Sequence, residues 1–221
     1  MGYEWRWDVI WQGAPLLMDG LRYTVLMAVI VMSVSIALAA ILAILSEYGP
    51  APVRAAVLIY TEVFRAIPVL VLLVWVFWAL PILLGVTLSP FTSGLLGLTL
   101  NVTAYVAEAF RAALVSIKRG QQDAAFALGM STRQAIGQVM WPQTWRIALP
   151  VVGSYWVGLF KDTSLLSLIQ YHELMFEGQR IANQSFRFVE ALTAVAIIYF
   201  VAGYSQSRIV DELVRRVRTE E

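Results

Sequence analysis

The chain has 221 residues, of which 59% are hydrophobic and only 14% charged, against about 25% charged in soluble globular domains; with a mean hydropathy of +0.70 it reads as an all-α membrane protein. A formal net charge of +1, spread over scattered basic residues, excludes the basic face of a nucleic-acid binder. The absence of cysteine excludes disulfides, thiolate nucleophiles and cysteine-held zinc.

In chain order, residues 1–19 lack the basic start and long apolar core of a signal peptide, so no cleavage is expected. Trp5, Trp7 and Trp11 suit a segment lying at the membrane interface. A spanning helix needs ~20 apolar residues, and five stretches qualify, near 20–46, 54–86, 93–117, 143–169 and 188–214. The second would reach ~50 Å at ~1.5 Å per residue, so a bend is expected at Pro68. The whole chain, 1–221, then forms a single transmembrane domain. Lys and Arg residues near the span ends set its orientation. With the N-terminus outside, the cytoplasm receives Arg54, Lys118, Arg119, Arg133, Arg146, Arg208, Arg215, Arg216 and Arg218, while Arg6, Arg22, Arg180 and Arg187 stay outside. The expected topology is five transmembrane helices, N-out and C-in, with a cytoplasmic loop, 118–142, between the third and fourth.

That loop reads as two short helices. Gly120 can end the third span, Asp123 suits a helix N-terminus, and Gly129 sits where a left-handed residue would stop the helix. Ser131 and Gln134 have the spacing of a capping box for a second helix, with Ala135, Ile136, Val139 and Met140 on one face. A helix of about eight residues is too short to stand alone, so the loop needs a partner.

Ionisable residues at membrane depth cost several kcal/mol unless paired or facing water, which makes each a functional candidate. The pattern E-x-F-R-A occurs twice, as Glu62 to Ala66 and Glu108 to Ala112. Counting ~1.5 Å per residue puts Arg65 and Glu108 at matching depth, so the two pentads can cross-pair as a structural four-charge network or contact a ligand directly. In the fourth span Lys161 and Asp162 are neighbours, and i,i+1 side chains diverge. Asp162 and Ser164 are therefore expected to line a ligand path, the other reading being hydrogen bonding between helices across a dimer. Thr103, Glu108, Arg65 and Arg111 are counted with them as path residues.

Other motifs carry less. His172-Glu173 begins like a zinc-protease motif, but position 176 is Phe176, and a solvated loop histidine is expected. The sequons at Asn101 and Asn183 suit polar packing and loop chemistry. No G-x-x-x-x-G-K-[ST] phosphate loop is present, so the chain itself carries no cofactor site, and any ATP and Mg use belongs to another polypeptide. The competing class, a stand-alone channel or an intramembrane enzyme, lacks a catalytic constellation and leaves the elaborate loop without a purpose.

At these residues the sequence resembles the permease subunits of bacterial ABC importers of the polar amino acid uptake family. The family's cytoplasmic signature, Glu-Ala-Ala, three residues, Gly, nine residues, Ile, one residue, Leu-Pro, is matched by Asp123, Ala124, Ala125, Gly129, Val139, Trp141 and Pro142 with unbroken spacing. Gly20, Leu21 and Thr24 resemble the opening of its first span, and Tyr60, Glu62, Phe64, Arg65 and Pro68 its second. Tyr105, Glu108, Phe110, Arg111, Ser116, Ile117 and Gly120 resemble the third, and Arg146, Leu149, Pro150, Lys161, Asp162, Thr163, Ser164 and Leu165 the fourth. The resemblance implies a multi-pass inner-membrane subunit that is not itself an enzyme. It would pair with a second permease, identical or homologous, with two ATP-binding subunits, and with an extracytoplasmic amino-acid-binding protein, among membrane lipids. It further implies that Asp123, Ala124, Ala125, Leu128, Gly129 and Ser131 form the coupling element that docks on the ATPase. The run VLVLLVWVFWALP after Pro68 lacks the glutamine common there and resembles the glutamate/aspartate branch, a lean toward an acidic substrate.

Overall fold

A computed structural model describes residues 3–117 and 119–219; Lys118, one of the residues used to orient the spans, lies outside them. Among the described residues every regular element is helical. The helices are α1 (Asp8–Tyr48), α2 (Ala51–Ala66), α3 (Val69–Leu84), α4 (Pro90–Ser116), α5 (Arg119–Ala127), α6 (132–162), α7 (Leu174–Ser185) and α8 (Phe188–Thr219), with a 3-10 helix, Thr163–Ile169, directly after α6. By length and composition α1, α4 and α8 can each cross a membrane, and α2 with α3 makes a fourth span if the broken pair is counted as one. Helix α6 is long but falls short in apolarity, because Gln143, Thr144, Arg146, Ser154 and Tyr155 interrupt it.

Prolines decide where these helices depart from regularity. A helical proline lacks the N–H for the carbonyl four residues back and its ring crowds that carbonyl. At Pro68 the helix ends outright: α2 stops at Ala66, and the chain turns by 102° before α3, a far sharper event than the expected bend. Pro81 and Pro142 each follow a π turn, Trp75–Ala79 and Ala135–Met140, in which the backbone widens by one residue. The opening helix also differs from expectation. It begins at Asp8, whose charge suits a first turn, and takes Pro15 inside it, leaving only residues 3–7 as the irregular start of the segment expected over 1–19.

The chain divides into two compact units, one made of residues up to 33, 67–99 and 156–206, the other of 34–66, 100–155 and 207 onward. In the first, α7 is packed against the start of α1 and of α8 through Leu17, Leu174, Ile181, Ala182, Ala191, Ala194 and Val195. Gly20 makes that approach possible: a Cβ there would lie 2.9 Å from the Leu174 Cα, the close backbone contact that small residues permit between membrane helices. Thr24 Oγ1 secures it, donating to the Gly20 carbonyl at 3.0 Å and accepting from the Leu174 N–H at 3.1 Å. In the second unit Leu114, Ile117 and Met140 form a core with Tyr48, Ile136 and Val139 packed against it. Phe110, fully buried, holds Trp141 and Trp145 with ring centroids 5.2 and 5.8 Å away.

Candidate functional site

The loop after α4 departs from the expected pair of short helices. The third span ends at Ser116 and Gly120 falls inside α5, so Asp123 sits in the middle of a helix and not at its N-terminus. The stop at Gly129 is as expected: its φ is +77°, its N–H bonds the Phe126 carbonyl at 2.9 Å and the Met130 N–H bonds the Ala125 carbonyl at 3.1 Å. That pair of bonds closes a Schellman end. The Ser131 capping box forms, with the Ser131 N–H donating to Gln134 Oε1 at 2.9 Å and Ser131 Oγ accepting from the Gln134 N–H. The helix it opens is not a short one, because Thr132–Gln134 continues through the π turn into Trp141–Asp162. Of the coupling candidates, Asp123, Ala124, Leu128, Gly129 and Ser131 are exposed, Leu128 to 83%, whereas Ala125 is buried and seats the helix on its own chain.

The two pentads do not cross-pair. Arg111 closes a two-pronged pair with Glu108 on its own helix, at 2.6 and 2.8 Å, and reaches Glu47 at 3.5 Å. Glu47, on α1, carries no local signal in the sequence. Among the described residues Arg65 has one ion pair, to Glu62 3.6 Å away, whose side chain is 76% exposed, and it interacts at longer range with the Glu108 charge. The Arg65 guanidinium lies over the Tyr105 ring, 5.7 Å from its centroid, and its buried Nε has no hydrogen-bond acceptor. Tyr155 packs on Tyr105 in turn, its ring 5.3 Å away and tilted by 44°. Thr103 is buried on α4. Arg65, Thr103, Glu108 and Arg111 thus all belong to the second unit, and Asp162 and Ser164 to the first.

Near the end of α6 the adjacent charges diverge as i,i+1 neighbours must. Lys161 faces a cavity of about 330 Å³ with Ser164, Ala196, Tyr199 and Phe200, while Asp162 is half-buried and outside that lining. Ser164 Oγ donates to the Lys161 carbonyl at 2.8 Å. His172 is less solitary than expected: Nδ1 lies 2.9 Å from Glu177, which also meets Arg180 at 3.3 Å. Beside it Glu173 is fully buried and caps α7, accepting from the Met175 and Phe176 N–H groups at 2.8 Å each and from the Tyr199 hydroxyl at 2.6 Å. Burial pushes its carboxyl up to about 7, because no cation offsets the lost hydration.

Comparison with known proteins gives the family. Residues 35–219 match the family described as "Binding-protein-dependent transport system inner membrane component". The chain is similar to the glutamine transport system permease protein GlnP of Escherichia coli, 32% identical over 216 residues covering 97% of this chain and 99% of that one. It is similar also to the probable amino-acid ABC transporter permease protein PatM of Vibrio harveyi, 35% identical over 90% of each, and to the glutamate/aspartate import permease protein GltK of Escherichia coli, 32% identical over 97% of this chain and 99% of that one. Among solved structures, an amino acid ABC transporter with histidines superposes with a TM-score of 0.89 and 27% identity over 97% of this chain and 100% of that one. The chain therefore belongs to the inner-membrane components of binding-protein-dependent transport systems, as the permease subunit of an amino-acid ABC importer.

Proposed function

We propose that this permease, a single domain of five spans with its N-terminus outside, moves a polar amino acid inward by ATP hydrolysis on other subunits. It works with a second permease, identical or homologous, two ATP-binding subunits that hold ATP and Mg, and an extracytoplasmic binding protein. The observation that carries the ligand assignment is the inequality of the two arginines. Arg111 is saturated by two carboxylates, whereas Arg65 keeps an unbonded Nε and one weak partner. Arg65 is the residue that receives a ligand carboxylate; Asp162 and Ser164, which the sequence also assigns to the ligand path, belong to the other unit. The run after Pro68 favours an acidic amino acid.

Uptake of radiolabelled L-glutamate and L-glutamine by the complete transporter in proteoliposomes tests this. Arg65→Gln is expected to raise KM ~10-fold or more, in keeping with ~1.5–3 kcal/mol for a hydrogen bond to a charged group, with assembly intact. Unchanged KM for both amino acids sinks the assignment. The loop reading rests on exposed Leu128: Leu128→Asp is expected to abolish co-purification of the ATP-binding subunits, and retained docking with coupled uptake would place that contact elsewhere.

A further inference from the structure

Each helical carbonyl is bonded by the N–H four residues on. For Phe64 that position is Pro68, which has none, and among the described residues no backbone N–H crosses the break to the Arg65 carbonyl. Two adjacent carbonyls at the end of α2 are thus left without backbone donors.

Helix α4 supplies the missing donors from two residues one turn apart, which therefore share a face. Asn101 Nδ2 donates to the Phe64 carbonyl at 2.9 Å, and the Tyr105 hydroxyl donates to the Arg65 carbonyl at 3.0 Å. A third bond runs the other way, from the Tyr60 hydroxyl to the Leu100 carbonyl at 2.8 Å. Asn101 is only 6% exposed, so it has no open side for a ligand. Tyr105 serves twice, its hydroxyl holding the backbone of Arg65 and its ring lying under the guanidinium.

We infer that Asn101 and Tyr105 are positioning residues for ligand recognition: by replacing the hydrogen bonds that Pro68 removes, they fix the last turn of α2 and aim Arg65 at the ligand carboxylate. The inference rests on the assignment of Arg65 above. It explains why an arginine next to a broken helix end can hold one direction, since a side chain is no better placed than the backbone that carries it.

The test is a kinetic comparison in the complete reconstituted transporter, using radiolabelled L-glutamate and L-glutamine. Asn101→Ala and the milder Tyr105→Phe, which keeps the ring, are each expected to raise KM about five- to tenfold with Vmax within about twofold. Combined with Arg65→Gln, either change should add less than about twofold, because both act through that residue. Full additivity in the double variants, or a fall in Vmax at constant KM, overturns the inference. Where Asn101→Ala fails to assemble, Tyr105→Phe alone decides. If Arg65→Gln by itself leaves KM unchanged, the carboxylate assignment fails and this inference with it. A shift for Arg65→Gln with none for Tyr105→Phe defeats the positioning role alone.

Discussion

The two E-x-F-R-A pentads are written alike and built differently. Around Glu108 and Arg111 the helix runs on, so two side chains three residues apart meet on one face and Glu47 joins them. Around Glu62 and Arg65 the helix stops one residue after the arginine, Glu62 is an exposed partner 3.6 Å away, and Asn101 and Tyr105 take the place of the missing backbone donors. One motif became a closed set of ion pairs, and the other keeps a guanidinium whose Nε is unbonded. What a charged motif does follows from the backbone that continues or ends beneath it.

The comparison can be broken most easily at its closed half. Arg111→Ala leaves Glu108 and Glu47 without their cation. It is expected to cost ~2–3 kcal/mol, less than the 3–5 of a fully buried pair because these groups are about a third exposed, and to show as lost assembly and a lower Tm of the purified complex. Retained stability would mean that these ion pairs are ornamental.

Glu173 extends the contrast to a buried carboxylate held by two backbone N–H groups and the Tyr199 hydroxyl in place of a cation. Its folded pKa, about 7, is raised above the ordinary carboxyl value. The stability it contributes is therefore complete below about pH 4.5 and lost as pH rises through about 7. The expected difference across that window is up to ~3 kcal/mol, read as a Tm that falls from pH 5 to pH 8 and becomes flat in Glu173→Gln. An unchanged slope in the variant would assign the pH dependence elsewhere. Smallest is Glu62→Gln at the open pentad, where exposure predicts a stability change within ~0.5 kcal/mol and KM within about twofold. A larger effect would show that Arg65 depends on Glu62 after all.

Much of this was legible from the residues in order. Gly129 and the Ser131 to Gln134 spacing announced the two ends inside the loop after α4 because capping is local chemistry, satisfied within six residues. The break at Pro68 was legible as a bend, but its severity was not. The partner of Arg111 was hidden, since Glu47 lies 64 positions earlier and no spacing rule connects them. Asn101 was readable only as polar packing. The clue was arithmetic: Pro68 orphans the carbonyl of Phe64, so a buried donor had to exist somewhere, and an asparagine in an apolar span is a natural supplier. The join of the loop's second helix to Trp141–Asp162 was obscured by Pro142, which looks like a boundary until the π turn before it takes up the strain.

That join has a mechanical consequence. The helix runs unbroken from Thr132 to Asp162, so the capped end of the loop and the Lys161–Asp162 pair are carried on one element with no loop between them. Its regularity yields at two places, the wide turn before Pro142 and Pro150, which leaves a helical carbonyl without its backbone donor.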